Sequence, residues 1–303
     1  MDVRQATADQ AFGLAKRRET TRWDWMHRLF RHRFAFTGLL FLVVATLVAL
    51  LAPLLAPHDP ITINPVDRLQ PIGSDYVLGT DYLGRDVLSR LIYGTRISLG
   101  VGAVTVILCT VVGVIIGVVA GYYARIDNVL MRVMDAFMAF PAILLALGIM
   151  AVLGPAVTNT MIALSIVYTP RMARLVRSSV LVIREMDYVL AGRALGMRDI
   201  RLLLLHVVPN AMGPIIVQGT FIFAYAVIAE ASLSFLGVGS SPEVPSWGNM
   251  LSEARQYMRV EPMLAILPGI AIMLTVLSLN LLGDGLRDIF DPHTKDQGSA
   301  ANT

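Results

Sequence analysis

The 303-residue sequence has little charge and almost no cysteine. Asp, Glu, Lys and Arg make up 16% of the residues, against about 25% in an average soluble domain, and hydrophobic residues make up 55%. This balance excludes an ordinary soluble domain and indicates an integral membrane protein. The single cysteine, Cys109, excludes an intrachain disulfide, and its place inside an apolar run predicts a small buried core residue.

Motifs for nucleotide or metal chemistry are also missing. The sequence has no G-x-x-x-x-G-K-[ST] motif, so it does not hold ATP phosphates by that loop. No two of the five histidines stand at metal-ligand spacing with a carboxylate, and H-E-x-x-H does not occur. We therefore predict no catalytic residue, no bound cofactor and no metal site. The formal net charge of +3 is interpreted as a membrane-orientation signal rather than a nucleic-acid surface, because the arginines lie beside apolar runs.

Long apolar runs are what the sequence does contain. A helix rises about 1.5 Å per residue, so about 20 apolar residues cross a hydrocarbon core of about 30 Å. Six such runs predict an all-α polytopic membrane protein with six transmembrane helices. The predicted spans are Phe34–Ala56, Ile97–Tyr122, Val129–Leu153, Val157–Leu175, Ala211–Leu236 and Met263–Leu282.

The segments between the spans differ in charge, and this difference predicts their side of the membrane. Residues 1–33 are rich in arginine and are expected to stay in the cytoplasm, as is the tail, 291–303. Residues 57–96 form a periplasmic segment whose second half, Asp81–Ile97, has the spacing of a helix in the membrane interface or of a solvated loop helix. Residues 97–290 supply a core of five spans, and Pro141 is predicted to kink the first span after Ile97–Tyr122.

One polar stretch, Asp187–Asn210, interrupts the apolar spans. It predicts two short helices, Asp187–Leu195 and Asp199–Val207, separated by Gly196 and closed by Pro209, because glycine releases a helix end and proline does not continue a helix. Both helices mix apolar residues with arginines, as expected of an element at a membrane surface that touches something outside the bilayer. Four predicted spans precede the stretch, so it lies on the side of the N-terminus.

Polar side chains inside the spans are candidates for a transport pathway. Glu230 is the ionisable residue well clear of the inner ends; it lies near the outer end of its span and is expected either to make a structural hydrogen bond or to line a path. Ser278 and Asn280 in the last span have the same two alternatives, bonding between helices or lining a path.

Two periodic patterns concern helix packing and the inner surface. Gly113–Gly121 carries a glycine at every fourth position, which predicts a groove that admits a neighbouring helix. Arg171–Arg177 carries an arginine at every third position, at the predicted inner end of the fourth span. These arginines are expected either to reach lipid headgroups or to pair with the polar stretch.

The polar stretch resembles the EAA motif of the membrane subunits of bacterial ABC importers, in which E-A-A is followed after three residues by Gly and then by a hydrophobic segment ending in Pro. Here Leu190-Ala191-Gly192 takes the E-A-A place, followed by Gly196 and Pro209. Three further stretches are similar to the dipeptide, oligopeptide and nickel permeases of the DppC and OppC type. These stretches are LGTDYLGRDVLSRLIYGTRISLGVG (78–102), AEASLSFLGVG followed by PSWGNML (229–251) and NLLGDGLRDIFDPH (280–293).

The resemblance covers about residues 25–293 and implies the transmembrane-domain fold of a type I ABC importer in the bacterial inner membrane. It implies a permease subunit rather than an enzyme, carrying di- or oligopeptides, or nickel complexes or glutathione through the same architecture. The implied partners are a second homologous permease, two ATPase subunits that hold ATP and Mg²⁺, a periplasmic substrate-binding protein and membrane lipid. The implied ATPase-coupling residues are Asp187, Tyr188, Leu190, Ala191, Gly192, Arg193, Ala194, Leu195, Gly196 and Pro209.

The sequence departs from the EAA pattern at two positions. Leu190 stands where the motif has an acidic residue and Gly192 where it has an alanine, so a carboxylate contact at residue 190 is not implied. Asp187, three residues earlier on the same helical face, or Glu185 could supply a nearby negative charge.

Two alternatives outside this family are an ion-driven secondary transporter and a non-transporting membrane scaffold. The first is disfavoured because the spans lack central charges and no inverted repeat is evident. In the second, Asp187–Asn210 would be a hairpin that binds a partner without transport. An ATPase that copurifies through this stretch would favour the importer.

Overall fold

A computed structural model of the chain describes residues 33–73 and 75–290. Within these residues the regular structure is helical, apart from one isolated antiparallel bridge between Thr80 and Asp86. The predicted all-α fold class is confirmed. The predictions for residues 1–32 and for the tail, 291–303, lie outside the described residues.

The helices follow the chain in the predicted order. The first half supplies α1 (Arg33–Leu50), α2 (Ala52–Leu55), a 3₁₀ turn (Pro65–Asp67), α3 (Val87–Tyr122), α4 (Ala124–Met138), α5 (Ala142–Leu153) and α6 (Val157–Ile183). The second half supplies α7 (Asp187–Ala194), α8 (Asp199–Leu202), a π-helical turn (Leu203–Val207), α9 (Val208–Phe235), α10 (Trp247–Ala254) and α11 (Met263–Phe290).

Fewer helices pass a test of length and apolar composition than the six spans that the apolar runs predict. In the described residues four helices are long and apolar enough to cross a membrane, namely α1, α3, α8 with α9, and α11, and the bent pair of α4 and α5 adds a fifth. The remaining predicted span falls on α6, which has 27 residues but carries several arginines. Each of the six predicted spans therefore falls on a helix or a helix pair, but the count of six is not reached by this test.

The outer helix expected over Asp81–Ile97 is not a separate element. α3 begins at Val87, where the Asp86 carboxylate accepts a hydrogen bond of 2.9 Å from the Ser89 N–H, and the helix then runs unbroken to its end at Tyr122. No proline lies in this stretch, so nothing in it removes a helical hydrogen bond. The second span is therefore extended outward instead of being preceded by an interfacial helix.

The third predicted span is broken rather than kinked. α4 and α5 meet at 90°, and Pro141 stands at the break as the N-cap of α5 with an extended ψ of 130°. Proline has no N–H to donate to the preceding turn, and its ring clashes with the backbone of that turn. The helix therefore ends before Pro141 and a new helix begins after it. The fourth predicted span also differs, since α6 continues past Leu175 to Ile183.

The centre of the molecule is the contact between α3 and α6. A Cβ added to Gly117 would lie 2.5 Å from the carbonyl oxygen of Ala173, and one added to Gly121 would lie 2.7 Å from the Cβ of Val180. The backbones approach this closely only because side chains are missing, so the predicted packing groove over Gly113–Gly121 is confirmed. Cys109 is fully buried in the same helix, as predicted.

Candidate functional site

The polar stretch folds as two short helices, as the sequence predicts. α7 ends at Ala194, and the second helix consists of α8 followed by the π-helical turn Leu203–Val207. Val189 of α7 is fully buried, and a Cβ added to Gly192 would lie 2.9 Å from the Cδ1 of Leu202 in α8. The glycine at this position of the motif thus brings the two helices into close contact.

Gly196 makes the turn between the two helices. Its φ is +75°, its N–H donates to the Arg193 carbonyl at 3.0 Å, and the Met197 N–H donates to the Gly192 carbonyl at 3.1 Å. This pair of hydrogen bonds is the Schellman motif, which satisfies the last carbonyls of a helix and favours glycine in the left-handed region. A Cβ at Gly196 would meet nothing within 4 Å, so the constraint is the backbone angle and not an obstructed side chain.

Pro209 does not close the second helix, contrary to the sequence prediction. It occupies the first turn of α9, directly after the π-helical turn, and the helical path runs from Asp199 to Phe235 over 37 residues. Proline is tolerated in a first helical turn because its missing N–H would be unsatisfied there, and the wider π turn accommodates the break in hydrogen bonding. The second helix of the polar stretch and the fifth predicted span are therefore one continuous element.

The surface of the polar stretch is apolar to an unusual degree. Leu195 has 86% of its area exposed, and five further large apolar side chains of the stretch are exposed as well. These are Tyr188, Leu190, Ile200, Leu204 and Leu205. Ala191, Arg193 and Ala194, which the resemblance also assigns to coupling, are exposed as well. Exposed apolar side chains rimmed by charge are typical of a protein contact surface.

The stretch is also tied to the C-terminal end of α3. The Tyr122 hydroxyl donates to the Asp199 carboxylate at 2.6 Å, and the Arg193 guanidinium lies over the Tyr122 ring at 5.4 Å from its centroid. Of the two acidic residues that could replace the motif glutamate, Glu185 accepts from the Arg184 guanidinium at 3.0 Å, whereas Asp187 is exposed in the first turn of α7. Asp187 is thus the freer carboxylate.

Glu230 is fully buried rather than close to water. It accepts hydrogen bonds from the Ser98 hydroxyl at 3.0 Å and from the Ser234 hydroxyl at 2.9 Å, and the Ser98 oxygen accepts from the Trp247 N–H at 3.4 Å. These bonds join α3, α9 and α10 at one point, which favours the structural alternative. The sequence placed this carboxyl near the outer surface because it could not foresee that α10 covers it.

The polar residues of α11 have mixed environments. Ser278 is buried where α1 crosses α11, and a Cβ added to Gly38 of α1 would lie 2.5 Å from the Ser278 carbonyl oxygen. Asn280 is half-buried. The position of Ser278 favours helix packing over a path, and neither alternative is decided for Asn280.

The arginines of α6 do not pair with the polar stretch. Arg174 contacts Asp135 at 2.6 Å, and Arg177 forms a bidentate ion pair with Asp127, so α4 supplies both carboxylates. Arg171 is exposed and lies over aromatic rings of α6 and α9. The sequence placed Arg171 at the inner end of its span, and the extension of α6 to Ile183 puts it well inside the helix instead.

A second charged cluster, which the sequence analysis missed, joins the start of α3 and the segment before it to α10. The Asp81 carboxylate contacts Arg85 at 2.6 Å and Arg90 at 2.8 Å, and the Glu253 carboxylate of α10 contacts the same two guanidinium groups at 2.7 and 3.0 Å. Burial raises the pKa of Glu253 to about 7, against the lowering effect of Arg85 and with a further rise from Asp81. The alternation of acidic residues and arginines in 81–90 could have indicated a charged cluster. The sequence does not show that α10 packs against these residues.

Two family models match this chain. The model described as "Binding-protein-dependent transport system inner membrane component" matches residues 113–296, which include the whole polar stretch. The model described as "N-terminal TM domain of oligopeptide transport permease C" matches residues 21–71, which include α1 and α2.

Similar proteins cover nearly the whole chain. A putative peptide transport system permease protein of Brucella abortus is 47% identical over 89% of this chain and 92% of its own length. The di/tripeptide transport system permease protein DppC of Pseudomonas aeruginosa is 43% identical over 86% of this chain and 89% of its own. The glutathione transport system permease protein GsiD of Pectobacterium atrosepticum is 41% identical over 91% and 92%, respectively.

A solved structure supports the same fold. The MetNI methionine ABC transporter, in inward-facing conformations, matches with a TM-score of 0.55 at 17% identity, over 66% of this chain and 96% of that chain. At this identity the match concerns the fold alone. The matched share is consistent with a common helical core to which this chain adds further residues.

Proposed function

The chain belongs to the family of binding-protein-dependent transport system inner membrane components, and from this membership we propose that it forms half of the pathway of an ATP-driven importer for short peptides. The observation that carries the proposal is the polar stretch Asp187–Asn210, whose exposed apolar surface lies on two short helices, the second of which is continuous with α9. The partner at this surface is an ATPase subunit.

In this proposal the energy for transport comes from ATP hydrolysis in partner subunits. The sequence has no phosphate-binding loop, so ATP and Mg²⁺ are held by two ATPase subunits, and this chain binds no cofactor of its own. A second homologous permease completes the pathway, and a periplasmic binding protein delivers the cargo. The arginine-rich first 33 residues favour an orientation with both termini in the cytoplasm of a bacterial inner membrane.

The mechanism follows from the stiffness of the connection to α9. When the ATPase subunits close on ATP, they displace the docked stretch, and the unbroken helix from Asp199 to Phe235 moves with it as a rigid body. The contact of α7 with α8 at Gly192 and the tie of Asp199 to Tyr122 pass the same displacement to α3. An unstructured loop would absorb this motion, so the two helices are the coupling element.

Peptides are the proposed cargo because the similar permeases are named for them. The Pseudomonas protein is a di/tripeptide permease, and the Pectobacterium protein is a glutathione permease, which makes glutathione, itself a tripeptide, the second candidate. Nickel complexes remain a weaker alternative within the same architecture.

The test uses the complete importer in proteoliposomes with its loaded binding protein. Leu195→Asp places a charge at the most exposed large apolar side chain of the stretch and should lower ATP-driven peptide uptake about tenfold or more, the size of a lost interface anchor. Val66→Asp is the matched control, because Val66 also has 86% of its area exposed and lies in the 3₁₀ turn Pro65–Asp67, outside the predicted spans. It should leave uptake unchanged.

The same vesicles separate this proposal from an ion-driven transporter. Uptake should stop when ATP is removed and continue when an ionophore collapses the ion gradients. The opposite pattern, or normal uptake by the Leu195→Asp importer in full assembly, would disprove coupling through this surface.

A further inference from the structure

Arg171 lies near the middle of α6, 14 residues after its first residue, Val157, and 12 residues before its last, Ile183. Its neighbour Met172 packs on Gly113, where an added Cβ would lie 2.7 Å from the Met172 Cβ. Gly113 precedes the inner end of α3 at Tyr122 by nine residues, or about 14 Å along the helix. Half of a hydrocarbon core is about 15 Å, and we therefore infer that this exposed guanidinium lies near the centre of the bilayer. A charge at that depth must face a water-filled path or another protein surface.

The surroundings of Arg171 hold the cation without neutralising it. The guanidinium carbon lies 5.7 Å from the centroid of the Tyr168 ring and 5.3 Å from that of Tyr225. The two rings stack at 6.4 Å with 23° between their planes, and the Tyr168 hydroxyl donates to the Tyr225 carbonyl oxygen at 3.3 Å. Aromatic faces attract a cation but accept none of its strong hydrogen bonds, so the five N–H donors stay available.

The other two arginines of the series show what Arg171 lacks. Arg174 and Arg177 each contact a carboxylate of α4, Asp135 and Asp127. Across the part of the chain that the structure describes, Arg171 has no ion pair of this kind. It is therefore a positioned cation without an anion.

A cavity lies beside the next turn of the same helices, between Arg171 and the helix ends near Arg287. The cavity has a volume of about 420 Å³ and is lined by α6, α9 and α11. Leu175 lies one turn from Arg171 on α6, and Phe221 lies one turn from Tyr225 on α9, so these lining residues share the faces that carry the cation and its rings. Gln218 follows on α9, and a second cation, Arg287, stands at the inner end.

We propose that Arg171, held over Tyr168 and Tyr225, binds the carboxylate of a peptide as it passes the middle of the membrane. The planar guanidinium matches a carboxylate with two parallel hydrogen bonds, which a lysine does not reproduce. The proposal rests on the proposed import function and deepens it, because it limits the cargo to molecules with a free carboxylate. A carboxylate of the partner permease is the competing source of the same chemistry.

The experiment compares Arg171→Gln with Arg174→Gln in the complete importer, reconstituted with a saturating, peptide-loaded binding protein. We expect Arg171→Gln to lower peptide uptake roughly tenfold or more, as for the loss of a charge-assisted hydrogen bond. ATP hydrolysis stimulated by the binding protein should stay within about twofold, because the polar stretch is untouched. Arg171→Lys should recover part of the uptake, and Arg174→Gln should behave as the unchanged importer.

Further measurements decide the source of the carboxylate. The unchanged importer should move a free-acid dipeptide faster than its C-terminal amide at equal occupancy of the binding protein, and Arg171→Gln should remove this difference. If Arg171→Gln instead lowers assembly with the partner permease, or lowers ATP hydrolysis and uptake together, the anion belongs to the partner and the proposal is overturned. Equal uptake of acid and amide by the unchanged importer also overturns it. Failure of the unchanged importer to use ATP would refute the import function itself.

Discussion

The left-handed backbone at Gly196 allows the loss of coupling in a Gly196→Ala variant to be predicted. Alanine at this position would meet no neighbour within 4 Å, so its cost is the left-handed backbone alone, about 1–2 kcal/mol. If this cost falls on the docked arrangement of α7 and α8, the population of correctly arranged loops falls about five- to thirtyfold. We expect Gly196→Ala to lower the ATP hydrolysis stimulated by a loaded binding protein, and uptake with it, within that range.

Gly237 supplies the matched control. It has a φ of +79°, the same pair of Schellman hydrogen bonds (its N–H to Ser234, the Val238 N–H to Leu233) and open space around an added Cβ. It lies just beyond the opposite end of α9. Gly237→Ala should therefore carry the same cost in unfolding without loss of coupling. Equal loss of coupling in both variants, or full coupling in Gly196→Ala with normal assembly, would refute the reasoning.

Three further outcomes test the structure. Burial raises the pKa of Glu253 from 4.5 to about 7, so the folded state binds this proton more tightly than the unfolded state does. The resulting stabilisation is fully present below the unfolded pKa and is lost as the pH rises through 7. Thermal unfolding should show a loss of about 1 kcal/mol between pH 6 and pH 8 that Glu253→Gln removes. Asp187→Asn should weaken ATPase binding in a pull-down more than Glu185→Gln does, because Glu185 is already engaged by an arginine, and the reverse order would contradict this assignment. Gly117→Leu should destabilise the chain by about 1–3 kcal/mol or more through overpacking, whereas Gly100→Leu, with open space around its Cβ, should not, as measured by thermal unfolding in detergent.

The apolar pattern predicted the helices well where the chain only has to cross lipid. The spans over α1, α9 and α11 and the packing groove at Gly113–Gly121 follow from hydropathy and small-residue spacing, which need no knowledge of neighbours. Helix ends were predicted less well. Pro141 produced a corner of 90° while Pro209 produced no break at all, because the effect of proline depends on whether the preceding turn can rearrange.

The candidate site was predictable as a stretch but not as a surface. Gly196 and the two short helices are local features, and local sequence determines them. The burial of Glu230 beneath α10 and the position of Arg171 over Tyr225 depend on which distant helices meet. Ser98 lies 132 positions from Glu230 and Tyr225 lies 54 positions from Arg171, and periodicity carries no information about such contacts.

The continuous helix from Asp199 to Phe235 also constrains how the sequence can change by insertion and deletion. Beyond the π-helical turn Leu203–Val207 the helix continues for the 28 residues of α9, and each residue added or removed there turns everything beyond it by about 100°. One deletion between Pro209 and Gln218 would rotate Tyr225 away from Arg171 and Glu230 away from Ser98 while leaving the docking surface intact. We therefore expect length variation in the connection between Gly237 and Pro262. Within the helix the register should stay fixed.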